Sequence, residues 1–562
     1  MTLKKEYKFL LILIIIFAFN VYVFWLKQGS IIIDVGREFY IPWQMLKGQI
    51  LYRDIYNIYG PLAYQINALS FLIFGQKISS IVALGIINSF LITLTYYFIS
   101  REFLSKKISL LLSLVLMQGG IFITGLFNYN MPYAYAMPYA FSSFLFFIMF
   151  FIRFLRTDEE KFLYTSAFFA GVSLSFKYDY FFIPFVIFFS LWFFKSLTLR
   201  RFLFSSVSFM VVPCISFGFL FFQGMNVNDL ISAILLDIKL SNTSTIKYLY
   251  KTTSGTYFDI TVFKSVLDHF LGLIVYLSGV FCSLLGIHNI GAKKLKPILN
   301  SIILLLSVIY FFFFVRITSL GLMPIFVVVL ACAFYKKLLK DKSLLFISVC
   351  AVLASLKVFF AMPVNLYGAY VFPLLILVIS ILILTIESNN FFLKNLKNTY
   401  KIFLCSLLVT FIVTNFTLVK SLGTEWKTTK GSLYNKQFVV DVYYDLQNYI
   451  SKNTSKNDKI IIWPETPLIN FVTDRDSDNI YFNMLPLQLE LFGEQKVIED
   501  IAERKPEIII FNNRDSSDYG FKYICKDYAI NLCKYVNQYY SFVKIVGDEK
   551  YYMKIYKRND LI

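Results

Sequence analysis

Thirteen stretches of this sequence are apolar for about the length needed to cross a membrane. They lie near residues 9–26, 79–99, 108–126, 134–152, 162–176, 180–194, 202–222, 269–287, 298–315, 319–335, 343–361, 366–386 and 402–419. About 20 apolar residues carry an α-helix through the hydrocarbon core. Inside that core every backbone polar group must find its partner within the chain. The expected fold class is therefore a polytopic α-helical membrane protein with about 13 transmembrane helices. Composition agrees: 57% of the 562 residues are hydrophobic and 16% are charged, against about 25% charged in soluble domains. A cytosolic enzyme, a disordered chain and a secreted disulfide scaffold are excluded.

Charge divides the chain. Residues 1–419 hold 34 Lys and Arg against 15 Asp and Glu, which accounts for the whole net charge of +19. Residues 420–562 hold 20 of each and are neutral. A nucleic-acid binder would instead carry its excess on a soluble domain. Lys4, Lys5 and Lys8 and six alternate short loops (Arg101 to Lys107, Arg153 to Lys161, Lys195 to Arg201, Lys293 to Lys296, Lys336 to Lys342, Lys394 to Lys401) together carry 22 basic residues. The intervening turns carry only Lys177 and Arg316. The positive-inside rule makes the basic side cytoplasmic. The expected protein is thus a multi-pass cell-membrane protein with a cytoplasmic N-terminus held by an uncleaved signal anchor. Residues 1–419 form the membrane domain, with long outer loops at 27–78 and 223–268, and residues 420–562 form an extracytoplasmic domain.

The tail reads as α/β. A helix is expected over 434–451, strands over 459–463 and 507–511, helices over 494–504 and 525–538, and a hairpin of 541–546 with 550–556. One helix over 525–538 would hold Cys525 and Cys533 about 12 Å apart, too far for a disulfide. The other five cysteines (Cys214, Cys282, Cys332, Cys350, Cys405) fall in or beside apolar runs and read as buried small hydrophobes. In the outer loops, segments such as 229–240 read as surface helices lying on the interface.

Ionisable groups are costly inside a bilayer. Here seven gather at one depth near the outer ends: Asp34, Glu38, Asp54, Lys177, Asp179, Arg316 and Lys357. An ion pathway would place some at mid-depth. This layout suits a site where a lipid head group meets a water-soluble substrate. Asp34 and Glu38 are four apart, would share one face of a helix, and could raise one another's pKa. Alternatively Asp34 caps the helix and Glu38 pairs with Arg37. Outer turns carry Tyr129 and Tyr367, either in an interfacial aromatic belt or in a substrate groove.

An acidic residue after the first span is followed by Gly48-Gln49-Ile50-Leu51-Tyr52-Arg53-Asp54 and Tyr59-Gly60-Pro61-Leu62. The tail contains Ile462-Trp463-Pro464-Glu465, Asn470 to Arg475 and Lys505-Pro506-Glu507. Together these resemble the GT-C integral-membrane glycosyltransferases, in the branch of protein O-mannosyltransferases and aminoarabinose transferases. The resemblance implies a transferase that takes a sugar from a polyprenyl-phosphate carrier on the outer face and inverts the anomeric centre. It implies Asp34 as base or acceptor-positioning group; Val35 follows it where many relatives have a second acid, so Glu38 stays an alternative. Lys177, Arg316 and Lys357 would hold the donor phosphate. Arg37, Asp54, Tyr59, Tyr129, Asp179 and Tyr367 are further substrate-site candidates. No cofactor and no metal site is expected: only two histidines occur, and Asp474-Arg475-Asp476 reads as an exposed turn, though a divalent metal is left open. The acceptor would be an envelope glycan, lipid or protein. A flippase of lipid-linked sugars, a polysaccharide polymerase and a non-catalytic assembly protein are the rival readings.

Overall fold

The computed structural model describes residues 7–253, 260–289, 295–356, 367–386, 390–477 and 480–561. The helical body runs α1 (Tyr7–Phe24), α2 (Val35–Leu46), α3 (Leu62–Phe74), α4 (Ile78–Arg101), α5 (Lys106–Leu116), α6 (Ala136–Thr157), α7 (Glu160–Phe176), α8 (Ile183–Phe193) and α9 (Leu199–Phe222). It continues with α10 (Val227–Asn242), α11 (Ser244–Thr253), α12 (Ile260–Asn289), α13 (Lys296–Phe314), α14 (Met323–Ala333), α15 (Tyr335–Lys340), α16 (Lys342–Ala354), α17 (Phe372–Leu384) and α18 (Phe391–Lys420).

Seven of these, α1, α4, α6, α9, α12, α13 and α18, are long and apolar enough to cross a bilayer. Their outward surfaces carry large bare side chains, among them Ile215, Phe222 and Phe313. Such a surface is an aggregation hazard in water and ordinary against lipid. The chain is a multi-pass membrane protein. The other six apolar segments carry helices of 11 to 17 residues, so helix length supports seven crossings and leaves the count of thirteen unconfirmed. α5 passes into a π turn over Met117–Ile121, and Pro in the first turn of α8, α14 and α17 marks where those helices start. Of the five cysteines in this part, Cys350 is buried and Cys405 half-buried, whereas Cys214, Cys282 and Cys332 are exposed on the surfaces of α9, α12 and α14. The expectation of burial fails for those three because bilayer-facing helices place small apolar groups outside as readily as inside.

The tail begins with a hairpin, β1 (Thr424–Thr428) and β2 (Gly431–Asn435), followed by α19 (Gln437–Asn453), β3 (Ile460–Trp463), α20 (Leu468–Thr473), α21 (Pro486–Phe492), α22 (Glu494–Arg504), β4 (Ile508–Asn512), α23 (Ile530–Tyr539), β5 (Tyr540–Gly547) and β6 (Tyr552–Arg558). The sheet order is β3-β4-β6-β5, with β3 and β4 parallel and the remaining pairs antiparallel. Every residue of β3 and β4 is buried, as continuous apolar runs covered on both faces should be. Ile460, Ile462, Ile508 and Ile510 join the core shared with the membrane body, while Ile461, Trp463, Ile509 and Phe511 join a second core on the other face.

Two expectations for the tail are corrected. Cys525 and Cys533 form a disulfide, with Cα atoms 5.4 Å apart. The helix starts only at Ile530, and Cys525 sits in the preceding turn at φ 67°, so the chain doubles back. Asp474-Arg475-Asp476 is not a free turn. Asp476 accepts hydrogen bonds from Gln44 (2.9 Å) and Tyr40 (3.3 Å) of α2 and pairs with Lys47 (3.1 Å), which follows its last residue. Asp474 pairs with Lys430, and Arg475 donates to the Thr454 carbonyl.

This docking fixes α2, ten of whose twelve residues are buried, so α2 lies beneath the tail and is not a surface helix. The N-terminus of α20 presses on Gly36: a Cβ there would stand 2.7 Å from the Leu468 nitrogen. Phe39 and Phe71 stack on Phe471 at 5.7 and 5.4 Å. Gly36→Val is expected to push α2 off α20, at a cost of about 1–3 kcal/mol. Limited proteolysis of the purified protein should then cut the tail faster than in wild type; an unchanged cleavage rate would contradict the packing.

Candidate functional site

A cavity of about 420 Å³ lies where the first outer loop, the α7–α8 turn, α10 and the tail meet. Asp34, Arg37, Tyr59, Tyr133, Lys177 and Asp179 line it, together with Asp237 from α10 and Glu465 and Tyr519 from the tail. Five of the residues singled out in the sequence thus come together: Asp34, Arg37, Tyr59, Lys177 and Asp179.

Asp34 precedes α2 at φ 59° and makes no side-chain capping bond. A non-glycine residue there costs of order 1–3 kcal/mol and persists where surrounding structure enforces it. The clamps are visible. Arg37 Nη1 lies 3.3 Å from Asp34 Oδ1, and the Asp34 amide donates to Glu465 Oε1 at 3.4 Å. Arg37 is itself fixed by the Tyr133 carbonyl (2.6 Å) and by Glu38 (3.1 Å). The Asp34 side chain stays 25% exposed, open to the cavity.

Glu38 has a different place. Because Asp34 lies outside the helix, the two acids do not share a helical face. Glu38 is wholly buried and accepts from the Tyr64 hydroxyl, the Tyr135 amide (both 2.9 Å) and Arg37. Burial pushes its carboxyl up, opposed by Arg37 and the Tyr135 N–H; the Asp34 charge suggested by the spacing is not the cause. Glu38 ties α2 to α3 and to the start of α6, and does not line the cavity.

Lys177, 8% exposed, pairs with Asp179 at 3.4 Å and lies over the Tyr59 ring at 4.8 Å. Arg37 also lies over that ring, at 5.3 Å. Tyr59 therefore spaces two cations on the cavity wall.

The remaining candidates lie elsewhere. Asp54 is clasped by Arg53 in a two-pronged pair (2.8 and 2.9 Å) and accepts the Ile50 amide, closing its own loop. Tyr129 is fully buried, stacked on Tyr370 at 5.0 Å and bonded to the Ala369 carbonyl, so it belongs to neither a belt nor a groove. Arg316 is exposed at the end of α13 and away from the cavity lining. Lys357 lies outside the described residues, as does the side chain of Tyr367.

Two site residues escaped the sequence reading. Glu465 was visible only as part of a tail motif; it is 1% exposed and pairs with Arg514 at 2.6 Å. Burial pushes its carboxyl up and Arg514 opposes this. Asp237 read as the polar side of a surface helix, yet it faces the cavity. Burial pushes it up to about 7.

A second hollow, an open groove of about 470 Å³, adjoins the first. Its walls are mainly apolar, with Phe217, Leu230, Ala233, Ile234 and Ile238, and it shares Tyr178, Asp237 and Ser241 with the polar cavity. Among the described residues no three His, Cys, Asp or Glu side chains gather as metal ligands.

The start of α11 is clipped beside the site by Glu490 of α21. Its carboxylate accepts the Ser244 and Thr245 amides (2.8 and 3.0 Å) and both hydroxyls. Burial works against its ionisation, but these bonds prevail and pull it down to about 2. An acid whose pKa is depressed when docked contributes fully above its free value of about 4.5 and loses that contribution as pH falls toward the docked value. Hydrogen exchange of the α10–α11 amides should accelerate, after correction for intrinsic rates, between about pH 4.5 and 2. Glu490→Gln should show fast exchange already at neutral pH; slow exchange there would refute the clip.

No family model matches the sequence, and no curated protein matches it. Among solved structures, ArnT from Cupriavidus metallidurans bound to undecaprenyl phosphate is similar over 97% of this chain and 97% of its own, at 11% identity and a TM-score of 0.48. The Archaeoglobus fulgidus oligosaccharyltransferase, in complex with zinc and sulfate, is similar over 89% of this chain and 68% of its own, at 12% identity and a TM-score of 0.48. Both overlaps fall below a TM-score of 0.5, so the functional reading is built on the cavity.

Proposed function

We propose that this protein is an inverting GT-C-type glycosyltransferase that moves a sugar from a polyprenyl-phosphate carrier to a cell-envelope acceptor on the outer face. The observation that carries the reading is the junction of a polar, cation-bearing cavity with an open apolar groove. That pairing fits a ligand with a charged head and a hydrocarbon tail. The tail would lie along Phe217 and the apolar face of α10, and the head would enter the cavity. Asp34 would accept the proton of an acceptor hydroxyl as its oxygen attacks the anomeric carbon. The bond from that carbon to the phosphate oxygen breaks, and Lys177 stabilises the charge gathering on the departing lipid phosphate. Arg37 and Glu465 hold Asp34 in place, so the tail domain forms part of the site.

Two observations support the sidedness. Helices α6 and α7 each have one end near the cavity and α9 has one beside the groove, and their opposite ends carry Arg153, Arg156, Lys161, Arg200 and Arg201, a basic edge of cytoplasmic type. The tail also holds a disulfide, a bond of oxidising compartments.

The test is ligand binding to the full-length protein in nanodiscs. Polyprenyl phosphate should bind, while the free polyprenol and inorganic phosphate should each bind at least about tenfold more weakly, as each lacks one half of the contact. Equal binding of the polyprenol would defeat the phosphate reading.

A further inference from the structure

An amphiphile whose phosphate joins a polar head to a hydrocarbon tail must leave that phosphate where the polar cavity meets the apolar groove. Tyr178, Asp237 and Ser241 line both hollows and mark that place. An acid is an odd choice beside a phosphate. Yet Asp237 Oδ1 is buried without a hydrogen-bond partner, and the carboxylate has no ion-pair partner among the described residues. Its charge acts on the phenols of Tyr52, Tyr56 and Tyr178, while burial alone shifts Asp237 itself. The charged groups lining the same cavity are Asp34, Arg37, Lys177, Asp179 and Glu465. Lys177 is paired with Asp179, Arg37 with Asp34 and Glu38, and Glu465 with Arg514. On its own helix Lys239 donates to the Leu491 carbonyl.

We propose that Asp237 binds the lipid phosphate as a protonated carboxylic acid, donating a hydrogen bond to a phosphate oxygen, so that donor loading takes up one proton. This rests on the lipid-phosphate reading above and adds its regulation: the site loads more readily as the outer face acidifies. Two facing anions would repel across a partly desolvated gap, whereas a carboxyl O–H meeting a phosphate oxygen forms a charge-assisted hydrogen bond. The half-buried setting of Asp237 holds it near the protonated state without a ligand.

The probe is a prenyl methyl phosphodiester, whose single charge is constant over the range tested. Its affinity for the full-length protein in nanodiscs is measured from pH 5.5 to 8.5. In wild type the affinity should fall by up to about tenfold per pH unit above 7, the slope of a one-proton linkage. Asp237→Asn, whose amide donates without titrating, should give a flat profile and bind more tightly than wild type at pH 8.5. A flat wild-type profile, or an unaltered slope in Asp237→Asn, overturns the proposal while leaving the lipid-phosphate reading standing. Affinity that rises with pH and is lost in EDTA overturns it too, since a metal bridge needs the ionised acid. If the diester binds at no pH, the lipid-phosphate reading fails and this proposal falls with it.

Discussion

Asp34→Asn is expected to lower sugar transfer by about 10²–10⁴-fold, the usual loss when a general base is removed. The side chain keeps its size, and the backbone at φ 59° tolerates Asn at least as well as Asp. The fold and the membrane level of the protein should therefore hold. Donor affinity should change little, because Asp34 faces the acceptor hydroxyl in this scheme, and the loss should appear in kcat. Glu38→Gln makes the contrast. Its carboxylate is buried under three hydrogen-bond donors, so its replacement should lower thermal stability and protein yield before it alters turnover per folded molecule. Should Asp34→Asn transfer at the wild-type rate while Glu38→Gln, still folded, does not, the roles would be reversed.

The second large effect is at Lys177. In the proposed scheme Lys177→Ala removes the cation assigned to the departing phosphate and should cost about 10²–10³-fold in kcat, as removal of one stabilising donor at a developing charge does. Weaker donor binding should add to the loss in kcat/KM. Lys177→Arg is not expected to restore activity: the planar guanidinium would have to fit between Tyr59 and Asp179, where an ammonium now sits 4.8 Å from the ring centre and 3.4 Å from the carboxylate. Arg316→Ala should stay near wild type, because that side chain is exposed and away from the cavity. Steady-state kinetics with donor and acceptor varied separately check all three variants.

Hydropathy and charge patterning made much of this molecule readable. Apolar runs located thirteen helices of the membrane body, since lipid leaves the backbone no alternative, but not α2, α3, α11 or α15. The continuous runs Ile460–Trp463 and Ile508–Phe511 identified the two parallel strands, β3 and β4. What escaped depends on contacts distant in sequence. The lengths of the short helices escaped because hydropathy measures apolarity, not where a π turn ends a helix or a proline starts one. The β1–β2 hairpin is largely polar, with Trp426 and Leu433 as its only fully buried side chains, so its alternation was too sparse to read. In the site, the short motifs and charged turns brought out Asp34, Arg37, Tyr59, Lys177 and Asp179, but also Glu38, Asp54 and Arg316, which lie outside the cavity lining. Glu465 and Asp237 could not be found in that way: one arrives from a domain 431 residues along the chain from Asp34, the other from a helix whose polar stripe reads as solvent-facing until the tail covers it. Asp34 and Glu38 were separated only by the backbone, because the helix begins one residue after Asp34.

The most direct measurement is a mass-spectrometric comparison of surface glycans and lipid-linked sugars in three strains: wild type, deletion, and deletion complemented with Asp34→Asn. A transferase whose base is Asp34 predicts that one sugar disappears from the envelope in the deletion. Its polyprenyl-phosphate donor should accumulate, and the well-expressed variant should restore neither. Full restoration by Asp34→Asn would contradict the account and point to a protein that moves lipid-linked sugars without joining them.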